Sequence, residues 1–300
     1  MLPTPRFTRM TRGKTHRTYT RAVLPPLDVD AAVLANHRLS GIYNILELDA
    51  PAIAERTGPG QFVMVKRALG QDPLLRRPFS VFEVLRDGDG TVRGLSLLSK
   101  AIGTVTRELF AIEPGDRIRC LGPLGRSFTL VDPPVAAWMV AGGVGLAPFA
   151  TLAEQLRERG VETALFYGGR SADDLYRIPF FEQLGVRVVL TTEDGTRGEA
   201  GRVTVPLRRE LAAAAAGRRP VQVYACGPTP MMRAVAELTA TVGAEGRFGL
   251  EVSLEPVMGC GMGGCYSCVV PVTGNGSRFV RGCVDGPVFE GTRVAWADLT

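Results

Sequence analysis

The sequence is poor in histidine, since only His16 and His37 occur in 300 residues. Mechanisms that depend on histidine, such as a Ser-His-Asp triad or a histidine-ligated hydrolytic metal, therefore have almost no residues to use and are excluded. Acidic residues are absent from positions 1–27, which carry six Lys and Arg. Because this segment accounts for the net charge of +5, the rest of the chain is close to neutral, and its charge does not indicate a nucleic-acid partner.

Residues 1–27 also lack the apolar stretch of a secretory signal. Their Thr-, Arg- and Pro-rich composition predicts a disordered basic tail, and an organelle transit peptide is the alternative. A 19-residue uncharged run, residues 135–153, contains Gly142, Gly143, Gly145 and Pro148, which would break a membrane-spanning helix. We therefore expect a buried strand, a turn and a helix there, in a soluble, cytoplasmic protein without a membrane partner.

Short apolar or alternating runs, bounded by Gly, Pro or Asp, occupy residues 28–132. Six such runs at this spacing predict an antiparallel six-stranded closed β-barrel domain, with one helix over Thr104–Phe110. The predicted strands are Ala32–Leu39, Ile42–Leu48, Gln61–Lys66, Phe79–Leu85, Val92–Leu98 and Asp116–Leu121.

Strands and helices alternate over residues 133–247, at intervals of roughly 25 to 30 residues, which is typical of a doubly wound parallel α/β domain. The predicted strands are Ala136–Val140, Thr163–Tyr167, Val186–Thr191 and Val221–Tyr224. The predicted helices are Ala147–Arg159, Asp174–Leu184, Val205–Ala216 and Pro230–Val242.

Four of the six cysteines, Cys260, Cys265, Cys268 and Cys283, lie in the spacing C-x4-C-x2-C-x14-C. Residues 248–300 are too few to bury much core alone, so we predict a small third domain held by covalent bonds or by a metal. A disulfide framework is disfavoured, because the rest of the chain resembles a cytosolic α/β protein without an export signal. The spacing matches the plant-type [2Fe–2S] pattern, and structural zinc is the alternative because four cysteines also bind zinc. Interleaved glycines let such a loop wrap and point its N–H groups at the sulfurs.

The segment Arg77-Pro78-Phe79-Ser80 opens a predicted barrel strand, and R-x-x-[ST] in that place suits a flavin. The guanidinium can donate two hydrogen bonds to the flavin pyrophosphate, and the serine hydroxyl can reach the isoalloxazine. Gly103-Thr104 opens the predicted helix and offers N–H groups to a phosphate. Leu97 and Leu98 either flank the cofactor or belong to the barrel core.

Two further loops indicate a nicotinamide dinucleotide. Gly142, Gly143 and Gly145 follow an apolar strand and allow close approach of a pyrophosphate, although a tight structural turn is the alternative. The segment Cys226-Gly227-Pro228 ends the last parallel strand, where ligands of open α/β sheets bind. Its thiol either touches the nicotinamide or is merely buried.

The order barrel with R-P-F-S, then G-G-V-G-L-A-P, then C-G-P, resembles the ferredoxin–NADP reductase superfamily. Two C-terminal segments narrow the resemblance, because S-L-E-P-V-M-G-C-G-M-G-G-C-Y-S-C over 253–268 and G-C-V-D-G-P-V-F over 282–289 are similar to those of dihydroorotate dehydrogenase B electron-transfer subunits. Two features depart from the family: the basic tail, and Gly125-Arg126-Ser127 in place of a Gly/Asn-rich turn.

This resemblance implies one bound FAD, one [2Fe–2S] cluster and NAD(H) as co-substrate. FAD would be bound by Arg77-Pro78-Phe79-Ser80, Ser96-Leu97-Leu98 and Gly103-Thr104, and the cluster by the four cysteines. The partner would be an FMN-containing catalytic subunit, in a heterotetramer of two copies of each chain. Dihydroorotate would be oxidised on that partner during pyrimidine biosynthesis, so this oxidoreductase subunit needs no catalytic acid or base of its own.

Other functions stay open from the sequence. A subunit of an electron-bifurcating ferredoxin reductase or of a hydrogenase complex would carry the same FAD, nucleotide and cluster motifs. A redox-sensing binding module and a zinc-binding structural protein are further alternatives. The nucleotide is open as well, because Arg170 and Ser171 could hold the 2′-phosphate of NADP whereas Asp173 would repel it; the resemblance favours NAD.

Overall fold

A computed structural model describes residues 25–67, 74–243, 248–274, 276 and 278–299. The predicted basic tail therefore lies almost entirely outside the described residues. In the described part of the chain, no helix is long and apolar enough to cross a membrane.

Six strands form the N-terminal part: β1 (Leu27–Arg38), β2 (Tyr43–Leu48), β3 (Phe62–Arg67), β4 (Arg77–Arg86), β5 (Val92–Lys100) and β6 (Arg117–Leu124). They close into an antiparallel barrel in the order β1-β2-β5-β4-β3-β6, which confirms the predicted barrel. Apolar side chains such as Val33, Leu48, Val63 and Leu97 fill its interior. A short helix α1 (Pro51–Ala54) was not predicted, and α2 (Thr104–Ala111) agrees with the prediction.

A seven-stranded sheet follows the barrel. Its first strands are β7 (Ala136–Gly142), β8 (Thr163–Gly169), β9 (Arg187–Thr192), β10 (Glu199–Ala200) and β11 (Val221–Cys226). The helices are α3 (Ala150–Glu158), α4 (Ile178–Gln183), α5 (Thr204–Ala216) and α6 (Thr229–Val242). Separate hydrophobic cores cover the two faces of this sheet, which confirms the doubly wound α/β prediction.

Two predicted helices differ from the structure, and proline explains both differences. The helix predicted over Asp174–Leu184 is only α4, preceded by a 3-10 turn over Ala172–Asp174. Pro179 lacks an N–H and is tolerated only in the first turn, so the helix cannot begin at residue 174. Likewise, residues 147–149 of the helix predicted over Ala147–Arg159 belong to a 3-10 turn, Gly143–Phe149, that contains Pro148.

The C-terminal segment is built onto the same sheet. Its strands are β12 (Phe248–Ser253), β13 (Val269–Pro271), β14 (Phe279–Arg281) and β15 (Val288–Glu290). The complete sheet order is β10-β9-β8-β7-β11-β12-β15, in which β12 is parallel to β11 and β15 is antiparallel to β12. Strands β13 and β14 form a separate hairpin. The cysteine segment is thus held between two neighbouring strands of the nucleotide sheet.

One hydrophobic cluster crosses the boundary between the barrel and the sheet. Phe82 and Leu98 of the barrel are buried in the same cluster as Phe149 and Tyr167 of the α/β part. An ion pair also crosses this boundary, because Arg177 Nη2 lies 2.9 Å from Glu83 Oε1. The contact fixes the barrel against the carboxyl ends of the parallel strands.

Glu154 on α3 gives this boundary a pH dependence. Burial raises its pKa to about 7, with the negative Glu83 adding to the rise and Arg86 opposing it. The carboxyl of Glu154 therefore holds its proton more tightly in the folded chain than in the unfolded one. Its contribution to the free energy of unfolding is most favourable below about pH 4.5 and is lost as the pH rises to about 7. We expect Glu154→Gln to raise the free energy of unfolding by about 1–2 kcal/mol near pH 8 and by less near pH 5.

Urea denaturation at the two pH values measures this difference. Glu182→Gln, at an exposed position of α4, is the control and should change little at either pH. An equal effect of Glu154→Gln at both pH values would contradict the assignment.

Candidate functional site

The four clustered cysteines lie in one loop region at the end of the chain. The Sγ atoms of Cys268 and Cys283 are 3.2 Å apart and both residues are buried. The Cys260 sulfur accepts hydrogen bonds from the backbone N–H groups of Met262 (3.4 Å) and Gly264 (3.3 Å). Backbone donors aimed at a sulfur are suited to a metal-bound thiolate, because they stabilise its negative charge.

The thiols differ in their surroundings. Hydrogen bonds from the hydroxyl and N–H of Ser267, with further ones from Cys260, lower the pKa of Cys265 to about 6. Burial raises the pKa of Cys283 to about 12, and the Cys268 thiol adds to that rise. Cys265 therefore neighbours Cys260, while Cys283 neighbours Cys268. Within the described residues, no three His, Cys, Asp or Glu side chains are grouped as a single metal ion would need.

Paired thiols that carry backbone donors fit the four-cysteine ligand set of an iron–sulfur cluster. The loop reaches this shape through residues with positive φ, namely Gly261 (74°), Gly263 (81°) and Tyr266 (58°). Gly261 has a second reason to be glycine, because a Cβ there would lie 2.6 Å from Met64 Cγ on β3. The cysteine loop is therefore pressed against the barrel wall.

The cysteine loop contacts β3, and β3 pairs with the strand that carries the residues predicted to bind flavin. Met64, Phe62 and Leu124 of the barrel share a small hydrophobic cluster with Cys268 and Cys283. On the other side of β3, Met64 pairs with Pro78 and Phe62 pairs with Ser80. Neighbouring strands are only about 4.8 Å apart, so one strand separates the cysteines from the R-P-F-S segment.

The remaining predicted flavin residues lie on β5 and at the start of α2. Ser96 is buried and accepts a hydrogen bond from the Glu83 N–H (3.2 Å), while Leu97 and Leu98 are buried in hydrophobic clusters. These side chains are therefore part of the hydrophobic core, and mainly the backbone N–H and C=O groups of this segment remain to contact a cofactor. Gly103 and Thr104 are exposed at the first turn of α2, where the Gly103 N–H already donates to Thr106 Oγ1 (2.8 Å).

Arg77 and its neighbours are accessible. The Arg77 side chain is exposed and donates to the carbonyls of Leu75 (3.1 Å) and Arg76 (3.2 Å). Pro78, Phe79 and Ser80 are half-buried. Both acceptors are within two positions of Arg77 in the sequence, so the guanidinium stays at the surface. It can rotate there to bind a phosphate.

The predicted nicotinamide residues line a cavity of about 770 Å³ at the carboxyl ends of the parallel strands. Gly142, Gly143 and Gly145 of the first loop, and Gly227 and Pro228 of the second, all contribute to its wall. The two loops touch, because a Cβ on Gly145 would lie 2.3 Å from the Cys226 carbonyl oxygen. The glycines therefore bring the loops together as well as leaving space for a ligand.

Cys226 itself is fully buried, and burial raises the pKa of its thiol. Its Sγ lies 4.0 Å from Glu255 Oε1, and Glu255 lines the cavity just after β12. The sequence analysis did not single out Glu255, since no local pattern shows that β12 runs beside β11.

Several more cavity-lining residues were missed by the sequence analysis, among them Tyr43, Lys100 and Asp174. Tyr43 and Lys100 pair across β2 and β5, so the barrel closes one side of the nucleotide cavity. The Tyr43 hydroxyl donates to Asp174 Oδ1 (2.9 Å) across the boundary with the α/β part. These residues are 131 positions apart in sequence, which leaves no local signal for the contact.

Comparison with known proteins agrees with this arrangement. Residues 255–295 match the family described as the iron-sulfur cluster binding domain of dihydroorotate dehydrogenase B. Residues 139–237 match the oxidoreductase NAD-binding domain. The two matches confirm the iron–sulfur prediction for the cysteine segment and the NAD-binding prediction for the sheet.

Among solved structures, that of NADH-dependent reduced ferredoxin-NADP oxidoreductase is similar over 90% of this chain and 91% of its own, with a TM-score of 0.75 and 27% identity. The ferredoxin reductase of carbazole 1,9a-dioxygenase shares the fold, with a TM-score of 0.62 and 22% identity over 76% of this chain and 70% of its own.

Two curated relatives are the dihydroorotate dehydrogenase B (NAD(+)) electron transfer subunits of Desulforamulus reducens and Bacillus caldolyticus. The first is 37% identical over 89% of this chain and 98% of its own length. The second is 37% identical over 83% of this chain and 91% of its own length. Such identity over nearly the whole length of both proteins establishes the relationship. The chain belongs to the family of dihydroorotate dehydrogenase B (NAD(+)) electron transfer subunits.

Proposed function

We propose that this chain carries electrons from a catalytic dihydroorotate dehydrogenase subunit, through a [2Fe–2S] cluster and FAD, to NAD⁺ in pyrimidine biosynthesis. The observation that carries the proposal is the contact between the cysteine loop and β3, one strand from Arg77-Pro78-Phe79-Ser80. A bound flavin exchanges electrons singly with a cluster and in pairs with a nicotinamide, and it is therefore suited to the middle position.

Each predicted site then has one task. Cys260, Cys265, Cys268 and Cys283 hold the cluster, in the segment 248–300. Arg77 to Ser80, the backbone of Ser96 to Leu98, and Gly103 with Thr104 hold FAD on the barrel, residues 28–132. Gly142, Gly143, Gly145, Gly227 and Pro228 hold NAD(H) on the part of the sheet that residues 133–247 form, with Cys226 buried behind them. This chain binds and positions its cofactors, and dihydroorotate reacts on the partner.

The partner surface surrounds the cysteine loop. The side chains of Val257, Met262, Tyr266 and Phe279 are all large, apolar and more than half exposed. An apolar patch of this kind favours a protein contact. We propose that it faces the FMN-containing catalytic subunit, two copies of which would assemble with two copies of this chain.

The test is anaerobic purification of this chain with that subunit. We expect FAD, iron and acid-labile sulfide in the complex, and NAD⁺ reduction that depends on dihydroorotate. The likeness to NADH-dependent reduced ferredoxin-NADP oxidoreductase supports a second candidate, a reductase subunit of an electron-bifurcating complex. Exchange between NADPH and ferredoxin, with no response to dihydroorotate, would favour that candidate and contradict the first.

A further inference from the structure

Residues 256–268, which carry Cys260, Cys265 and Cys268, contain no charged side chain. When thiolates hold an iron–sulfur cluster, each electron that the cluster accepts adds one negative charge to this segment. The reduction potential of a cluster depends on its net charge, on the hydrogen bonds to its sulfurs and on its exposure to solvent. Groups outside the segment that supply a positive charge, or that fix an N–H donor, therefore help to set the potential.

Arg281 reaches this segment from the hairpin that β13 and β14 form. It is the last residue of β14 and pairs with Val269, which directly follows Cys268. The preceding residue, Val280, packs against the hydrophobic core of the sheet. Successive side chains of a strand point to opposite faces, so Arg281 points away from that core. Its side chain extends instead to Gly263, between the first two cysteine ligands.

Gly263 is packed directly against the Arg281 guanidinium. The Nη1 group of Arg281 donates a hydrogen bond to the Gly263 carbonyl oxygen (3.3 Å), and Gly263 is buried. A Cβ on Gly263 would lie 2.8 Å from Val284 Cγ2 and 3.1 Å from Arg281 Nη1, so the loop can approach this closely only with glycine here. Arg281 therefore fixes the position of this part of the loop.

The backbone N–H of Gly263 is directed at a cysteine ligand. Burial raises the pKa of Cys283, whereas a hydrogen bond from the Gly263 N–H lowers it, because that bond stabilises the thiolate. The carbonyl and the N–H belong to one residue, so the guanidinium that fixes the Gly263 carbonyl also fixes the direction of its N–H. Arg281 thus acts on the Cys283 sulfur through Gly263.

Asp285 and Tyr266 hold the guanidinium in this place. Asp285 Oδ2 accepts a hydrogen bond from the Arg281 backbone N–H (2.9 Å) and lies 3.6 Å from Arg281 Nε. The Cζ atom of Arg281 lies 5.7 Å from the centre of the Tyr266 ring, within the range of a cation–π contact. Because Asp285 offsets part of the positive charge, we assign the effect of Arg281 mainly to the position of Gly263.

We propose that Arg281 is a positioning residue for the iron–sulfur cluster, which holds the Gly263 N–H against the Cys283 sulfur and thereby raises the reduction potential of the cluster. The inference rests on the proposed function, because it concerns the cluster of the proposed electron path. It adds a residue that is not a ligand to the four cysteines. A higher potential makes it more favourable for the cluster to accept electrons from the partner subunit.

The experiment is a redox titration of the anaerobically purified chain, loaded with FAD and its cluster, in which the EPR signal of the reduced cluster is followed. Arg281→Met should make reduction of the cluster less favourable by about tenfold in the equilibrium constant, which corresponds to a potential about 59 mV lower. Its g values should also shift, and a chelator should remove its iron about 10-fold faster. Arg278→Met is the matched control and should keep the wild-type potential, because the Arg278 guanidinium lies against the Phe279 ring (5.6 Å).

A second variant separates position from charge. Arg281→Lys keeps the cation but lacks the planar fork that reaches Gly263 and Asp285 together, so its potential should also fall below that of the wild type. This milder change carries the test if Arg281→Met does not retain iron. A wild-type potential in Arg281→Met or in Arg281→Lys, or an equal shift in Arg278→Met, would overturn the inference. A wild-type chain without iron and acid-labile sulfide would contradict the proposed function instead.

Discussion

Replacing Cys268 with serine is expected to remove iron and acid-labile sulfide from the chain and to stop electron transfer from the partner. Cys268 is 1% exposed and its sulfur lies 3.2 Å from that of Cys283, so it belongs to the buried pair of the predicted ligands. A serine oxygen is a much poorer ligand than a thiolate for iron–sulfur clusters. We expect dihydroorotate-dependent NAD⁺ reduction to fall by more than about 100-fold.

Flavin reduction by NADH should survive in this variant, since the nucleotide cavity and the R-P-F-S strand do not involve Cys268. Stopped-flow bleaching of the flavin absorbance measures that half-reaction separately. Cys120→Ala is the matched control, because Cys120 is fully buried in the barrel core. Normal iron content in Cys268→Ser, or iron loss in Cys120→Ala, would disprove the assignment of the ligands.

Gly145→Ala is expected to damage both stability and nucleotide binding. The added Cβ would lie 2.3 Å from the Cys226 carbonyl oxygen and 2.7 Å from Gly227 Cα, and both of these are backbone atoms that cannot rotate away. The two loops that form the cavity must therefore move apart. Overpacking of this kind lowers the free energy of unfolding by about 2–3 kcal/mol.

Thermal unfolding and NAD⁺ titration of the FAD-loaded chain measure the two effects. Gly88→Ala is the control, because nothing lies within 4 Å of a Cβ at that position. Its stability should stay within about 0.5 kcal/mol of the wild type. A Gly145→Ala chain with wild-type stability and wild-type NAD⁺ affinity would show that the loops tolerate separation.

Local patterns in the sequence were enough to predict the barrel and the four parallel strands β7, β8, β9 and β11. The barrel strands and the parallel strands follow from apolar runs bounded by Gly, Pro and Asp, and pairing extends most of them by a few residues. The C-x4-C-x2-C spacing likewise predicted the iron–sulfur segment, because its ligands are near one another in the chain. The roles of individual flavin and nicotinamide residues stay predictions.

Features that depend on distant residues could not be predicted in this way. Strand β15 has only three residues, and its place follows from pairing with β12 and from the Leu254 N–H bond to the Pro287 carbonyl (2.9 Å). The contact of Tyr43 with Asp174 joins two parts of the chain that carry no common motif. Lys100 and Glu255 were missed for the same reason, because only the folded chain brings them to the cavity.

The placement of the cysteine loop between β12 and β15 limits how this protein can be re-engineered. The two ends of the cysteine segment continue into adjacent strands of the sheet, and its middle contacts the barrel. The segment is therefore an insertion in the sheet and not a separable domain. Grafting residues 255–287 onto another reductase would therefore fail unless the recipient also received both flanking strands and the Met64 surface. A chimaera should therefore carry the cysteine segment together with β12, β15 and the Met64 surface.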